Sequence, residues 1–382
     1  MKFKKVFSLM FILILSILVV SGCSSNDEAK AEDEEWAENN GIFDTESSDE
    51  LYEKAKEEGK VVVYSKGSKF KKVKSLFEEK YPGIDLESYK LEQGEMEEKL
   101  VRENDAEIFT ADIVHVSSLD NLVEDEYIYP YKPDDIMENF LDEYKDDESP
   151  VQYFAINSIY YNDNHHDDPP VDNWWDLTEP EWNGRVLIQD PTSDLSLTEH
   201  FVSMLNNADE MEEAYEEKYG EELELTEDNA AYEFFKRFIE NDPVMMSSSE
   251  DILDNIADAT EENDFIGLGS SSKVRKAEEQ DLPIAPIYEM KPRLANLKDS
   301  TVYIANHAPH PNAAKLLARF VLGEEDGEGM EPFNSKGVWI PQETIENKNE
   351  IEADELEAWE HDEEFYDEHY KEFRDYWISH ID

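Results

Sequence analysis

The chain has 382 residues, with 34 Lys and Arg against 95 Asp and Glu, and a formal net charge of −61. That balance excludes a default nucleic-acid-binding protein, because phosphate backbones are held by Lys and Arg and this field repels them. With 39% hydrophobic and 12% aromatic residues the chain is not a disordered acidic protein either, and its length corresponds to about two to three units of roughly 150 residues.

The elements follow in chain order. Lys2, Lys4 and Lys5 precede the apolar run Val6–Val20, which is shorter than the about 20 residues of a membrane span and fits a secretory signal. Val20-Ser21-Gly22-Cys23 then resembles a bacterial lipobox, and Cys23 is the chain's single cysteine. Residues 1–22 are therefore expected to be a lipoprotein signal peptide. Cys23 is the expected lipidation site, anchoring the protein on the extracellular face of the cell membrane, and no intramolecular disulfide is possible. The polar, acidic stretch 23–47 reads as a flexible tether, with order beginning near Ser47.

Leu51, Tyr52 and Ala55 share a helical face that stops at Gly59, and Val61–Tyr64 has the continuous apolar pattern of a strand covered on both faces. Phe70, Val73, Leu76 and Phe77 are helically spaced up to Tyr81-Pro82-Gly83. Ile84–Tyr89 alternates as a strand, Glu95–Glu103 is helical, and Asp112–Val116 is a strand again. Strands are also predicted at Val151–Tyr161, Arg185–Gln189, Asp264–Leu268 and Ile284–Ile287, and helices at Ala230–Ile239 and Asn312–Leu322. The acidic tail carries Trp359, Phe365, Tyr366, Phe373, Tyr376 and Trp377, which predicts docked helices. The alternation of strands and helices gives an α/β class with a mostly parallel sheet.

Several segments carry a family resemblance. Leu51–Ser65, Phe77–Ile84, Trp174-Trp175-Asp176-Leu177 with Trp182–Val186, and Ala308–Leu316 resemble, in this order, segments of the ferric-iron (FbpA-like) group of extracellular solute-binding proteins, over roughly residues 48–342. The resemblance implies a two-lobed type II periplasmic-binding-protein fold with a two-strand hinge. Each lobe would be a mostly parallel sheet flanked by helices, and a solute would be captured by hinge closure. It places lobe 1 at 48–152 plus 287–342, lobe 2 at 153–286, and an acidic aromatic extension at 343–382. The crossings are expected near Gln152–Tyr160 and Ile284–Glu289. Its further implications are a monomeric receptor of an ABC importer, with a permease and its ATPase as partners.

Iron-binding members use an adjacent tyrosine pair on the second lobe, a hard-oxygen set suited to ferric ion. The corresponding segment here reads Leu268-Gly269-Ser270-Ser271-Ser272-Lys273, and the adjacent Tyr160-Tyr161 fall on the expected hinge strand, where alternation points one in and one out. Hydroxyl-rich segments instead follow the predicted strands, where ligands of open α/β sheets collect. They supply the candidate ligand-binding residues Ser65, Lys66 and Ser68; Ser117 and Ser118; Thr192 and Ser193; and Gly269, Ser270, Ser271 and Ser272.

A small anionic solute, a phosphorylated or carboxylated organic compound, is the reading these loops favour. The alternatives are ferric iron and a non-transport surface interaction protein on the same fold. His165-His166-Asp167-Asp168, His361 with His369, and His310 are read as structural rather than metal-binding. No nucleophile, phosphate-loop or zinc-protease motif is present, so neither an enzyme nor a resident cofactor or metal is expected. Acids on the tether, helix faces and tail, in a secreted protein, fit a high-salt habitat.

Overall fold

A computed structural model describes residues 33–116, 120–294, 297–324, 326–359 and 362–381. Residues 1–22, expected to be a signal peptide, and Cys23, Ser117, Ser118 and His361 lie outside these described residues.

The chain divides into two compact units, the first comprising Met1–Asp135 and Val302–Phe320, the second Ile136–Thr301 and Val321–Asp382. In unit 1 the elements are α1 (33–39), α2 (Ser48–Glu58), β1 (Lys60–Ser65), α3 (Phe70–Lys80), β2 (Asp85–Lys90), α4 (Gln93–Asp105), β3 (Ile113–Val116), α5 (Asp120–Glu124) and β4 (Ile128–Pro130). The chain leaves unit 1 within α6 (Asp134–Met137). There follow α7 (Asp142–Lys145), β5 (Val151–Tyr161), β6 (Val186–Gln189), α8 (Leu195–Asn206), α9 (Ala208–Tyr219), α10 (Ala230–Glu240) and β7 (Val244–Met246). Unit 2 continues through α11 (Ser249–Asp258), β8 (Ile266–Ser270), α12 (Val274–Gln280) and β9 (Ala285–Ile287). Strand β10 (Leu297–Ala305) returns the chain to unit 1 between Thr301 and Val302, α13 (Pro311–Val321) follows there, and α14 (Glu363–His380) closes unit 2.

Unit 1 is built on β1, which pairs in parallel with β2 (Lys60↔Asp85 to Ser65↔Lys90) and with β3 (Val63↔Ile113). The second half of β10 lies beside β3 and pairs antiparallel with β4. Val61, Val62, Val63 and Tyr64 are all buried, as a strand covered on both faces requires. On one flank α3 presents Phe70, Val73 and Phe77, and Phe77 meets Phe320 of α13 at 5.5 Å between ring centres. Ser47 and Glu50 form a reciprocal capping box at the start of α2, and Gly59, at φ +71°, ends it.

The expected tether is corrected over its second half. Residues 33–46 belong to unit 1: Ala37 and Ile42 are buried, and the Trp36 ring lies 6.1 Å from Tyr129 and 5.3 Å from His307. The acids dominate the composition of this stretch, but the few apolar residues and one buried cation are enough to dock it. Lys315 of α13, itself only 1% exposed, donates to the carbonyl of Asn40 at 2.7 Å and forms an ion pair with Glu46.

In unit 2 the long strand β5 is the organiser. Its first half pairs antiparallel with the first half of β10, and its second half with β8 (Asn157↔Ser270, Tyr160↔Gly267) and β9. Beyond β8 the sheet continues in parallel through β6 to β7. The core is aromatic: Trp174, Trp175, Phe201, Phe234, Phe235 and Phe238 are buried together. Helix α14 docks on it, bringing Phe373 and Trp377 to 5.7 and 5.5 Å from Phe201, so the tail aromatics do mark a docked helix.

The unit boundaries differ from those expected. They fall within α6, within β10 and at the end of α13, not in β5 and β9. The physical reason is that both halves of β5 find their partners inside unit 2 as far as Thr301, and β9 is bonded to β5 in the same unit. Residues 321–382 are likewise part of unit 2 rather than a separate extension.

Candidate functional site

In unit 2 the carboxyl ends of the parallel strands β6, β7 and β8 lead into three polar segments. After β6, the Asp190 carboxylate accepts from the Thr192 amide and hydroxyl, both at 2.8 Å, while the Asp190 carbonyl accepts from the Ser193 hydroxyl at 3.1 Å. This Asx-type turn delivers the chain to α8, whose first turn is capped by Asp194 accepting from Leu197 N at 2.9 Å. Thr192 is half-buried and Ser193 is exposed.

After β7, a second serine run leads into α11. Ser248 caps that helix, and the Ser249 hydroxyl donates to Gln189 Oε1 at 2.8 Å. After β8, the Ser270 and Ser272 hydroxyls lie 2.9 Å apart and both are half-buried. Asn157, opposite Ser270 on β5, donates to the carbonyl and the hydroxyl of Ser196 at 3.1 and 3.2 Å.

Two of the candidate residues serve the fold. Ser271 is fully buried; its hydroxyl accepts from Ile156 N at 3.0 Å and donates to the Gly337 carbonyl at 2.5 Å. Gly269 permits close packing rather than ligand approach, because a Cβ there would lie 3.2 Å from Ser249 Oγ. The bases that follow are paired: Lys273 with Glu250, Arg275 with Glu279 and Lys276 with Asp254. This edge of unit 2 therefore presents hydroxyls, amides and the Asp190 and Asp194 carboxylates, while the bases beside it are paired.

In unit 1 the corresponding strand end is that of β1. Ser65 is buried, exchanging hydrogen bonds with Gly67: its hydroxyl donates to the Gly67 carbonyl at 2.9 Å and accepts from Gly67 N at 3.2 Å. That turn holds Lys66 and Ser68 outward and exposed, and Lys66 forms no ion pair among the described residues. His115 of β3 lies beside Ser65 in register, its ring 5.1 Å from Phe70.

Gln189, Ser249, Asn157 and Ser196 were not candidates from the sequence. Two signals could have found some of them: the second serine run Ser247-Ser248-Ser249 after an apolar pair, and the polar pair Asn157-Ser158 inside a mostly apolar strand.

The tyrosine pair is committed to packing. Tyr160 is fully buried among Leu187, Ile252 and Ile256, and its hydroxyl donates to the Ser270 carbonyl at 2.6 Å. Burial pushes its pKa well up. Tyr161 belongs to the other core of the unit, as strand alternation requires. His165 and His166 both turn onto Asp264, at 2.9 and 2.5 Å. His310 stands at the start of α13, its amide and Nδ1 at 2.7 and 2.9 Å from the Asp112 carboxylate.

Neither a protein-family model nor a curated protein sequence matches the chain. Solved structures do. The periplasmic binding protein AfuA of Actinobacillus pleuropneumoniae, with fructose-6-phosphate bound, is 19% identical at a TM-score of 0.61, the match covering 85% of this chain and 98% of that one. The apo ferric ion-binding protein A of Pasteurella haemolytica is 15% identical at 0.63, over 85% and 99%. The spermidine/putrescine ABC transporter substrate-binding protein PotD of Streptococcus pneumoniae is 16% identical at 0.59, over 85% and 99%. Taken with the mostly parallel, helix-flanked strands, these likenesses give the chain the type II periplasmic-binding-protein fold.

Proposed function

We propose that the chain is the solute-binding receptor of an ABC-type importer, lipid-anchored through Cys23, and that its solute is a small phosphorylated or carboxylated organic compound. The observation that carries this reading is the polar edge of unit 2. There the Asp190–Asp194 turn, Ser249 with Gln189, and Ser270 with Ser272 stand at strand carboxyl ends, the place where ligands of open α/β sheets bind, and Asn157 with Ser196 lies across from Ser270 on β5. The hydroxyls and amides there, beside the Asp190 carboxylate as an acceptor, suit the hydroxyl groups of such a solute. In unit 1, Lys66 and Ser68 at the end of β1 are the groups on which anion binding is tested. One fold neighbour carries fructose-6-phosphate, an organic anion of this class.

The ferric-iron reading is the weaker one for this chain. The segment after β8 supplies serines where a tyrosine pair would stand, and the Tyr160 hydroxyl is held by the Ser270 carbonyl. Calorimetry on the full chain against a panel of sugar phosphates, hydroxycarboxylates and ferric citrate decides between them. Binding of a metal-free anion, weakened at least tenfold by Ser272→Ala or Lys66→Ala, supports the proposal. Binding of ferric citrate alone overturns the solute class. No binding of any of them, together with capture of another surface protein, favours the interaction-protein reading.

A further inference from the structure

Unit 1 carries an aromatic cluster where the described chain begins, at the end of its sheet opposite Ser65. The Asp33 carboxylate lies 2.9 Å from His307 Nε2. The His307 ring has Trp36 of α1 at 5.3 Å and Phe109, just before β3, at 4.7 Å. Trp36 continues the cluster to Tyr129 at 6.1 Å, and Tyr129 meets Phe43 at 6.0 Å.

Two side chains at the ends of this cluster stand in water. Ile108, next to Phe109, is 62% exposed and Phe43 is 61% exposed, the two highest values for a large hydrophobic residue among the described residues. Both sit on tight turns: Glu107 takes φ +53° just before Ile108, and the Asp44 amide bonds across Phe43 to the Gly41 carbonyl at 3.2 Å. Single exposed apolar residues are ordinary, whereas apolar groups gathered beside one aromatic cluster mark a contact surface. The chain that precedes Asp33 says what covers it. Nine residues, 24–32, separate Cys23 from Asp33, a span of at most about 35 Å when fully extended. A lipid on Cys23 therefore keeps this cluster beside the bilayer.

We propose that this face of unit 1 rests on the bilayer surface, with Phe43 and Ile108 among the headgroups and Trp36 at headgroup level, where aromatic rings are favoured. The proposal rests on the reading of Cys23 as the lipid anchor. It is separate from the strand-end loops proposed to hold the importer's solute. The exposed acids beside the cluster, Glu34, Glu35, Glu38 and Asp44, repel an anionic leaflet. The contact therefore strengthens as salt screens them, the reverse of a basic lipid-binding patch.

The chain's single cysteine lets the anchor be supplied chemically. The mature chain, from Cys23 on, is coupled through that thiol to a maleimide-bearing lipid in phosphatidylcholine–phosphatidylglycerol vesicles, with and without brominated acyl chains. Trp36 is the only tryptophan of unit 1, so the quenching that disappears in Trp36→Phe reports this face. The expected result is quenching of Trp36 by the brominated chains, at least twofold weaker in Phe43→Ser and in Ile108→Ser, and stronger in about 1 M than in about 0.1 M NaCl. Both substitutions are at exposed positions and leave the fold intact. No quenching of Trp36, or quenching unchanged in both variants, overturns the proposal. Self-association of the uncoupled chain that both variants abolish overturns it too, and gives the face to a second copy. Mass spectrometry of the protein from its own membrane reads the anchor separately. An unmodified Cys23 overturns the anchor and with it this face's place in the cell, whereas a lipidated Cys23 without quenching overturns the face alone.

Discussion

Ser271 and Gly337 are locked together: the serine hydroxyl donates to the Gly337 carbonyl at 2.5 Å, and a Cβ on Gly337 would stand 1.9 Å from the Ser271 carbonyl oxygen. Gly337 also sits at φ +76°, a conformation L side chains rarely adopt. A serine that the sequence places beside hydroxyl-rich neighbours thus acts as a tie within unit 2.

Ser271→Ala leaves the Ile156 amide and the Gly337 carbonyl without their shared partner, at a cost of about 1–3 kcal/mol. Gly337→Ala must both strain the backbone and displace a carbonyl, so a larger loss of about 3 kcal/mol or more is expected. Urea denaturation of the two variants checks the order. If Ser271→Ala abolished solute binding at unchanged stability, the hydroxyl would be a ligand and not a tie.

Glu46 and Lys315 make the docked N-terminal segment testable. Burial raises the Glu46 pKa, but the hydrogen bonds from Lys315 and Lys54 outweigh it and hold the carboxyl below its ordinary value. A depressed carboxylate contributes stability that is present above its unfolded pKa and lost as pH falls. Glu46→Gln leaves the buried Lys315 ammonium without its counter-charge, and a loss of about 3–5 kcal/mol is expected at pH 7. Deleting residues 33–46 should destabilise unit 1 at least as much. A truncated protein as stable as the full chain would show that the segment is only a tether.

Asp190→Ala removes the acceptor of both Thr192 bonds. Stability should fall by only about 1–2 kcal/mol, whereas solute affinity should fall at least tenfold, because the turn no longer presents Thr192 and Ser193. Calorimetry and denaturation on the same variant separate the two effects. Equal affinity would remove this turn from the site.

Asp299 gives a pH signature of opposite sign to Glu46. It lies on β10 opposite Phe154, one carboxyl oxygen lacks a hydrogen-bond partner among the described residues, and burial first, then Asp147, raises its pKa to about 6. Tyr144 faces it too. Because the folded pKa is raised, the protonated form is the one the fold favours. Stability is then greatest below the unfolded value and declines as pH rises from about 4 to about 6. The change amounts to roughly 2–3 kcal/mol. Asp299→Asn should remove that decline and stabilise the protein at pH 8. Denaturation at pH 5 and 8 for both proteins gives the difference; identical pH dependence would place the titration elsewhere.

Period and punctuation carried much of the architecture in the sequence. Val151–Tyr161 is a strand over the residues its apolar run marks, and α10 and α13 begin within a residue of their predicted starts, because periodicity and capping act locally. The docking of residues 33–46 was not legible, since it depends on Lys315, some 270 positions away. The candidate site was legible in part. Serines after strands announce a polar edge, but which hydroxyls are free is decided by partners distant in sequence. Gly337 engages Ser271, while Ser270 and Ser272 have each other.

The charge itself yields the last prediction. Exposed ion pairs such as Arg275 with Glu279 lose strength in salt, but such pairs contribute only about 0–1 kcal/mol each. Repulsion among 95 acids facing 34 bases is the larger effect. It reaches about 10 Å at 0.1 M salt and only about 3 Å at 1 M. The melting temperature should therefore rise steadily with NaCl, and the chain should expand on dialysis to low salt, as scattering would show. A protein dominated by its ion pairs would show the reverse slope, and a flat profile would detach the acidic surface from a high-salt habitat.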